Sequence, residues 1–396
     1  MFGLFDKASY LPHQYIQGTV ALALLLITPF QVLAGADMSP MRTVSKDECS
    51  KVVTSTNVDA SGLLPTTDID LFKVTYKTKN FDGKSEKVSG LYAKPSGADG
   101  NGTVLYFHGT VAGRGDVPSQ EYNLLETCLF AGQGFAFLAA DYIGLGDSTV
   151  EAPYFHREAT VNAGLDLVRA VDKLVDLDKR LFIVGYSQGG HGALSATREV
   201  DLNGLEGFRF VASAPGAGPY YLYELLFIDP LVKNPEPQFA SMHILKFVRS
   251  YENIYSDLHG GEEVYIQPAW DKAMALLDGT HTTQEVLAAM PPIPHDVLIK
   301  KDYLEKVASD KTMPLAKAFI ENSVEPWPAK VPITLIYPGA DKNVTPESSI
   351  RMHADLQAAN AKEVELINIG DKWGHIDGYP SFLVVALKKM LAHRDK

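Results

Sequence analysis

From about residue 70 to residue 395 the chain alternates apolar strand patterns with helical ones, which predicts an α/β fold: a mostly parallel central sheet with helices on both faces. Two further observations sharpen that expectation. The apolar run Leu181-Phe182-Ile183-Val184 passes straight into Gly185-Tyr186-Ser187-Gln188-Gly189 and then a helical pattern. Late in the chain, a proline-broken helical stretch from 217 to 328 interrupts the alternation.

Taken in order, Leu71 to Lys77 and Lys87 to Ala93 read as an antiparallel start joined through Asn80-Phe81-Asp82-Gly83. Thr103 to Phe107 is the next strand, with a helix around Tyr122 to Ala131 behind it. Phe135 to Ala140 is a strand followed by a helix from about Glu158 to Val175. Leu181 to Val184 leads into a helix from Gln188 to about Thr197, and Phe208 to Ala212 is the sixth strand. After the interruption, Pro332 to Tyr337, a helix near Pro346 to Ala359, Glu363 to Ile369 and a helix near Pro380 to His393 complete the pattern. The interruption carries short amphipathic patterns such as Met242 to Tyr251 and Leu315 to Ile320, separated by prolines including Pro230 and Pro291. Helices of this kind placed between the sixth and seventh strands predict a helical cap over the sheet rather than an independent domain. The expected organisation is 1–36 as a leader, 37–216 and 329–396 as the two parts of the core, and 217–328 as the cap.

The leader is an apolar run from Gly18 to Phe30 followed by the small residues Ala34-Gly35-Ala36, the layout of a secretory signal peptide cleaved after Ala34 or Ala36. Asp6 beside Lys7 leaves its first part without a clear positive charge. The alternative is an uncleaved anchor, ranked second because the run is short and contains Pro29. A secreted or periplasmic protein is the expectation. The two cysteines, Cys49 and Cys128, read either as a disulfide or as unrelated thiols, and export favours the bridge. A net charge of −12 with no run of lysine or arginine argues against a nucleic-acid partner. No metal-ligand spacing is present, so neither a metal nor any other cofactor is expected.

A serine on a sharp strand-to-helix turn within G-x-S-x-G is the nucleophile elbow of α/β hydrolases, with its hydroxyl raised clear of the sheet. A serine hydroxyl needs a base to take its proton and an acid to orient that base, and this fold delivers them in the chain order nucleophile, acid, base. Asp341 follows the strand after the cap, and His375 lies in the loop after the last strand, so Ser187, Asp341 and His375 are the catalytic candidates. Asp371 and Asp377 share the His375 loop, where a short tether makes the required hydrogen bond awkward. His191 and His353 lie on helices, and His243, His259, His281 and His295 in the cap, as ordinary core or surface histidines. Two N–H donors for an oxyanion are expected from the backbone of Gln188, after the nucleophile, and of Thr110, in the loop after the strand ending at Phe107. His108 reads as a brace for that loop. Asp141-Tyr142-Ile143-Gly144-Leu145-Gly146 fits no phosphate-binding spacing and reads as a structural turn.

The set His108-Gly109-Thr110, Asp141 to Gly146, Gly185-Tyr186-Ser187-Gln188-Gly189-Gly190-His191, Gly339-Ala340-Asp341 and Gly374-His375 resembles the α/β-hydrolase superfamily. Within it the chain is most similar to exported bacterial lipases and esterases related to the fungal secretory lipases. That resemblance implies hydrolysis of carboxylic esters, small or lipidic, through an acyl-serine intermediate, with transient contact between the cap and a lipid interface. The residues themselves imply acyl transfer. The competing enzyme class on the same fold is a prolyl-oligopeptidase-type exopeptidase, which needs a cap carboxylate for the substrate ammonium; Glu262 and Glu263 are adjacent acids there. A binding protein without activity is the other alternative. Tyr220, Tyr221, Tyr223 and Phe227 read either as an acyl pocket or as the core of the cap.

Overall fold

A computed structural model describes residues 35–56, 58–97, 100–122, 124–233, 241–255, 258, 264–267, 269–289 and 298–395. The leader up to residue 34 and His259, Glu262, Glu263 and His295 lie outside the described residues. No described helix is long and apolar enough to cross a membrane.

Nine strands form one sheet: β1 Asp37–Val44, β2 Ile69–Lys79, β3 Ser85–Pro95, β4 Thr103–Phe107, β5 Ala136–Ala140, β6 Arg180–Tyr186, β7 Arg209–Gly216, β8 Ile333–Tyr337 and β9 Val364–Asn368. Their spatial order is β1-β2-β3-β5-β4-β6-β7-β8-β9. β1, β2 and β3 pair antiparallel, β3 meets β5 antiparallel, and the strands from β5 onward run parallel. β1 and the following helix α1 (Lys46–Thr54) were not expected from the sequence. Their residues carry little apolar alternation: in β1, only Met38 and Val44 are buried. Counting β1, the helical insertion falls between the seventh and eighth strands, where eight predicted strands put it between the sixth and seventh.

The period of two along the parallel strands explains why both faces carry helices. In β4, Val104 and Tyr106 pack on one face while Leu105 and Phe107 pack on the other. β6 repeats this with Phe182 and Val184 against Leu181 and Ile183. The first face is covered by α1, α2 (Leu124–Phe130) and the last helix, Tyr379–His393. The second is covered by α3 (Arg157–Val175), α4 (Gln188–Asn203) and, toward β8, the helix Pro346–Ala358.

Register sets the site. Phe107 pairs with Gly185, Tyr106 with Ala139, Tyr186 with Gly216, Gly216 with Ile336, and Tyr337 with Asn368. The carboxyl ends of six strands are therefore level, and the loops leaving them share one edge of the sheet.

The insertion is tied to those loops. Its helices Ser241–Ile254, Thr283–Ala289, Lys301–Ser309 and Pro314–Asn322 share a core with Ala112, Tyr154 and Phe155. Thr283 Oγ1 accepts from the Ala112 N–H (2.8 Å), and Ser250 Oγ accepts from the Tyr154 N–H (2.7 Å). Of the four aromatics left between two roles by the sequence, Tyr223 and Phe227 pack in this core and Tyr220 and Tyr221 in the one beneath β8.

Cys49 and Cys128 form a disulfide joining α1 to α2 across 79 positions. Closing a loop of that length is worth roughly 4–5 kcal/mol if the effect is entropic in the unfolded chain. The double variant Cys49→Ser/Cys128→Ser is expected to lose about that much stability in urea unfolding, with the slope of the transition altered by a less compact unfolded state. A loss under about 1 kcal/mol would show that α1 is held by packing alone.

Candidate active site

The turn after β6 is closely packed. Ser187 has φ 60° and ψ −123°, a conformation that costs a residue with a Cβ of order 1–3 kcal/mol and persists only when its surroundings enforce it. They do so by close packing. A Cβ on Gly189 would stand 1.9 Å from the Phe107 carbonyl oxygen, and one on Gly185 would stand 2.2 Å from the Gly189 carbonyl oxygen. The Ser187 N–H donates to the Gly216 carbonyl (3.0 Å), and the His191 N–H closes the first helical turn on the Ser187 carbonyl (3.1 Å).

The expected partners meet there. His375 Nε2 lies 2.8 Å from Ser187 Oγ, and His375 Nδ1 lies 2.6 Å from Asp341 Oδ2. Asp341 comes from the loop after β8; its Oδ1 accepts from the N–H groups of Asn343 and Val344, both at 2.9 Å. With one oxygen held by two amides, the other is fixed toward the imidazole, and the carboxylate is buried. The Tyr186 hydroxyl donates to the His375 carbonyl (2.7 Å), which anchors the loop that carries the imidazole. Asp371 instead accepts from Nδ2 of Asn368 at the end of β9 (2.6 Å). A proton can thus pass from Ser187 Oγ to His375 with a buried carboxylate behind the imidazolium.

The loop His108-Gly109-Thr110 packs on the elbow, a Cβ on Gly109 standing 3.9 Å from Ser187 Cβ. Thr110 Oγ1 is 2.7 Å from the Tyr154 hydroxyl, which ties its side chain to the loop that carries Tyr154. Gln188 is the first residue of α4, so its N–H has no acceptor within the helix. Gln188 also lines a separate small cavity with Thr160 and Lys246. His108 is buried, its ring stacked 4.1 Å from that of Tyr142, and its Nδ1–H donates to the Gly109 carbonyl (2.7 Å). Burial pushes it down to about 4, so it is a neutral brace.

The Asp141 turn holds the same edge from below. Asp141 Oδ2 accepts from the hydroxyls of Ser89 and Ser119, both at 2.5 Å, and Oδ1 accepts from the Ser119 N–H (2.9 Å). At Gly146 the backbone runs at φ 58°, and a Cβ would come 2.3 Å from that carboxylate. His191 is buried on α4; its Nε2–H donates to the Asn322 carbonyl of the insertion (2.7 Å).

Ser187 opens into a cavity of about 380 Å³ lined mostly by apolar and aromatic side chains, among them Val111, Tyr154, Phe155, Leu226 and Met242. Thr110 and His375 share its wall, and Ile376 and Leu287, 74% and 43% exposed, are at its solvent side. Among the described residues, no group of three or more histidine, cysteine, aspartate or glutamate side chains is placed to hold a metal ion. Sequence reasoning missed Tyr186, Tyr154, Asn343 and Val344 as supports, and Glu126 in the cavity wall. The first four act through a hydroxyl or a backbone amide that no spacing rule signals, and Glu126 sits in an ordinary helical pattern.

The chain belongs to the alpha/beta hydrolase family, whose model matches residues 104–379. Solved structures share the fold. A protein of Legionella pneumophila described as a hydrolase is 22% identical, with a TM-score of 0.83 over 91% of this chain and 98% of that one. The rice cell wall degrading esterase LipA of Xanthomonas oryzae is 22% identical, with a TM-score of 0.76 over 91% and 97%. Lipase A of Candida antarctica in its closed state is 15% identical, with a TM-score of 0.62 over 89% and 81%. No curated protein matches the sequence.

Two outcomes follow from this packing. Gly189→Ala is expected to cost roughly 3 kcal/mol or to prevent folding, because the new methyl meets backbone rather than a movable side chain. Chemical unfolding of the purified variant measures it, and a stability equal to the parent's would mean that the elbow is looser than described. His191 is also pushed down by burial, from 6.5 to about 4. Between those pH values the unfolded chain binds a proton that the folded chain does not, so this contribution is complete above 6.5 and is lost as the pH falls toward 4. Urea unfolding at several pH values should therefore show a steeper acid loss in the parent than in His191→Gln; parallel curves would contradict it.

Proposed function

We propose that this chain is an exported serine hydrolase that cleaves carboxylic esters, of the lipase or esterase type, through an acyl-serine intermediate. The hydrogen-bonded series Ser187–His375–Asp341, opening on a largely apolar cavity, carries the reading. Ser187 Oγ attacks the ester carbonyl while His375 Nε2 takes its proton, and Asp341 stabilises the imidazolium. The carbonyl oxygen, now an oxyanion, is met by the N–H groups of Gln188 and Thr110. Removing one such donor typically costs 10²–10³ in turnover. The imidazolium returns its proton to the departing alcohol, and a water deprotonated by His375 then releases the acid and restores Ser187.

Residues 1–36 form the signal peptide in this reading, and the Cys49–Cys128 disulfide supports an oxidising destination. Residues 217–328 form a cap between the core parts 37–216 and 329–396, and it controls entry to Ser187. The exposed Ile376 and Leu287 beside the cavity support transient contact with a lipid surface, the cap carrying Leu287.

Initial rates on p-nitrophenyl esters from acetate to palmitate test the activity, with alanine p-nitroanilide as the amide control. Ser187→Ala should lower kcat/KM by at least about 10⁴ and abolish labelling by a fluorophosphonate, since the three residues act as a unit. Retained activity in that variant would overturn the mechanism, and turnover of the anilide alone would replace the esterase with an exopeptidase.

A further inference from the structure

Glu126, on α2, is the acidic side chain in the described wall of the Ser187 cavity, and it is 6% exposed. Its Oε2 is buried with no hydrogen-bond partner among the described residues. The Tyr379 hydroxyl lies against the same carboxyl and is 2.7 Å from the Tyr106 hydroxyl. A chain of polar groups, Tyr106–Tyr379–Glu126, therefore ends in a carboxyl that lines an otherwise largely apolar cavity and has one oxygen without a hydrogen-bond partner among the described residues. An orphaned buried acceptor costs free energy that a purely alkyl substrate has no means of recovering, whereas a ligand hydroxyl offers it a donor.

We infer that Glu126 is a specificity determinant whose carboxyl receives a hydroxyl group carried by the ester substrate away from the scissile bond. Hydroxylated esters are then preferred over alkyl esters of the same size. The inference rests on the reading of Ser187 as the nucleophile of an ester hydrolase. A hydroxyl fits better than an ammonium group for two reasons. It extends a neutral series of hydroxyls, donating to the carboxyl while still able to accept. An ammonium would have to shed its hydration to form a buried ion pair, whose net gain is often near zero. Burial pushes Glu126 up to about 7. Of the titratable groups facing it, Tyr106 and Tyr379 are held far above the ordinary phenol value by burial and Tyr122 is raised above it by burial, so all three stay neutral. A substrate hydroxyl binds the ionised carboxyl more strongly than the neutral one, so the preference should rise as the pH passes upward through about 7. Because His108, His243 and His375 line the same cavity, the readout is the ratio of kcat/KM between two matched esters at each pH, in which their effect on the chemical step cancels.

The probes are p-nitrophenyl hexanoate against p-nitrophenyl 6-hydroxyhexanoate for the acyl side, and butyl acetate against 4-hydroxybutyl acetate for the alcohol side. p-Nitrophenyl 6-aminohexanoate provides the cationic arm. The parent should favour the hydroxylated member of at least one pair by about tenfold or more in kcat/KM, since a site built to bond a hydroxyl rejects the analogue that lacks it. Glu126→Leu should reverse that preference. Glu126→Gln, of equal shape, should keep part of it and lose its rise with pH. The proposal is overturned by ratios that are the same in the parent and in Glu126→Leu, or by a preference for the amino ester. If Glu126→Leu does not fold, a pH rise that persists in Glu126→Gln overturns it. Hydrolysis of none of these esters by the parent would instead remove the ester-hydrolase reading on which the inference stands.

Discussion

The approach of α4 to the carboxyl ends of β4 and β7 is the constraint on which the site depends. Gly189 lies where any side chain would strike the Phe107 carbonyl, and Gly185 and Gly190 are enclosed in the same way by Gly189 and Gly216. This contact fixes three things together. It forces Ser187 into its strained backbone conformation. It starts α4 directly after the nucleophile, so that the first N–H groups of the helix, which have no acceptor within it, lie next to Ser187 in the chain. It also brings the loop after β4, with Thr110, against the elbow. The strain at one serine is small beside the burial of the strands beneath it, which is why the sheet can enforce it.

Around that point the structure invests polar groups where loops must not move. Asp141 satisfies two serine hydroxyls and an amide below the edge, and Asp341 is held by two amides before it meets His375. Both of these buried carboxylates have their oxygens occupied, as low-dielectric surroundings require. Glu126 departs from that pattern, with one buried oxygen that has no hydrogen-bond partner among the described residues. The insertion is fastened to the loops through Thr283 and Ser250, and to α4 through Asn322. Movement of the insertion would have to break or carry those contacts.

Much of this was legible in the residues because the parallel strands are buried on both faces and read as continuous apolar runs ending in turn residues. Ser187, Asp341 and His375 could be named because each follows a recognisable strand, and level strand ends leave little freedom in where the loops go. β1 and α1 were not legible. β1 lies at the sheet edge with two buried side chains, and α1 is tied down by a disulfide between residues 79 positions apart. The supports from Tyr186, Tyr154 and the amides of Asn343 and Val344 depend on distances set by the whole fold. Glu126 looks like any helix residue until the cavity is seen beside it.

In the proposed mechanism the elbow, and not serine reactivity alone, places the developing negative charge between two backbone donors. A crystal structure of the protein after reaction with an alkyl fluorophosphonate tests it directly. The account requires phosphorus bonded to Ser187 Oγ and one phosphoryl oxygen within hydrogen-bonding distance, about 2.7–3.1 Å, of both the Gln188 and Thr110 N–H groups. An adduct on another residue, or a phosphoryl oxygen turned to solvent with either amide unengaged, would contradict it.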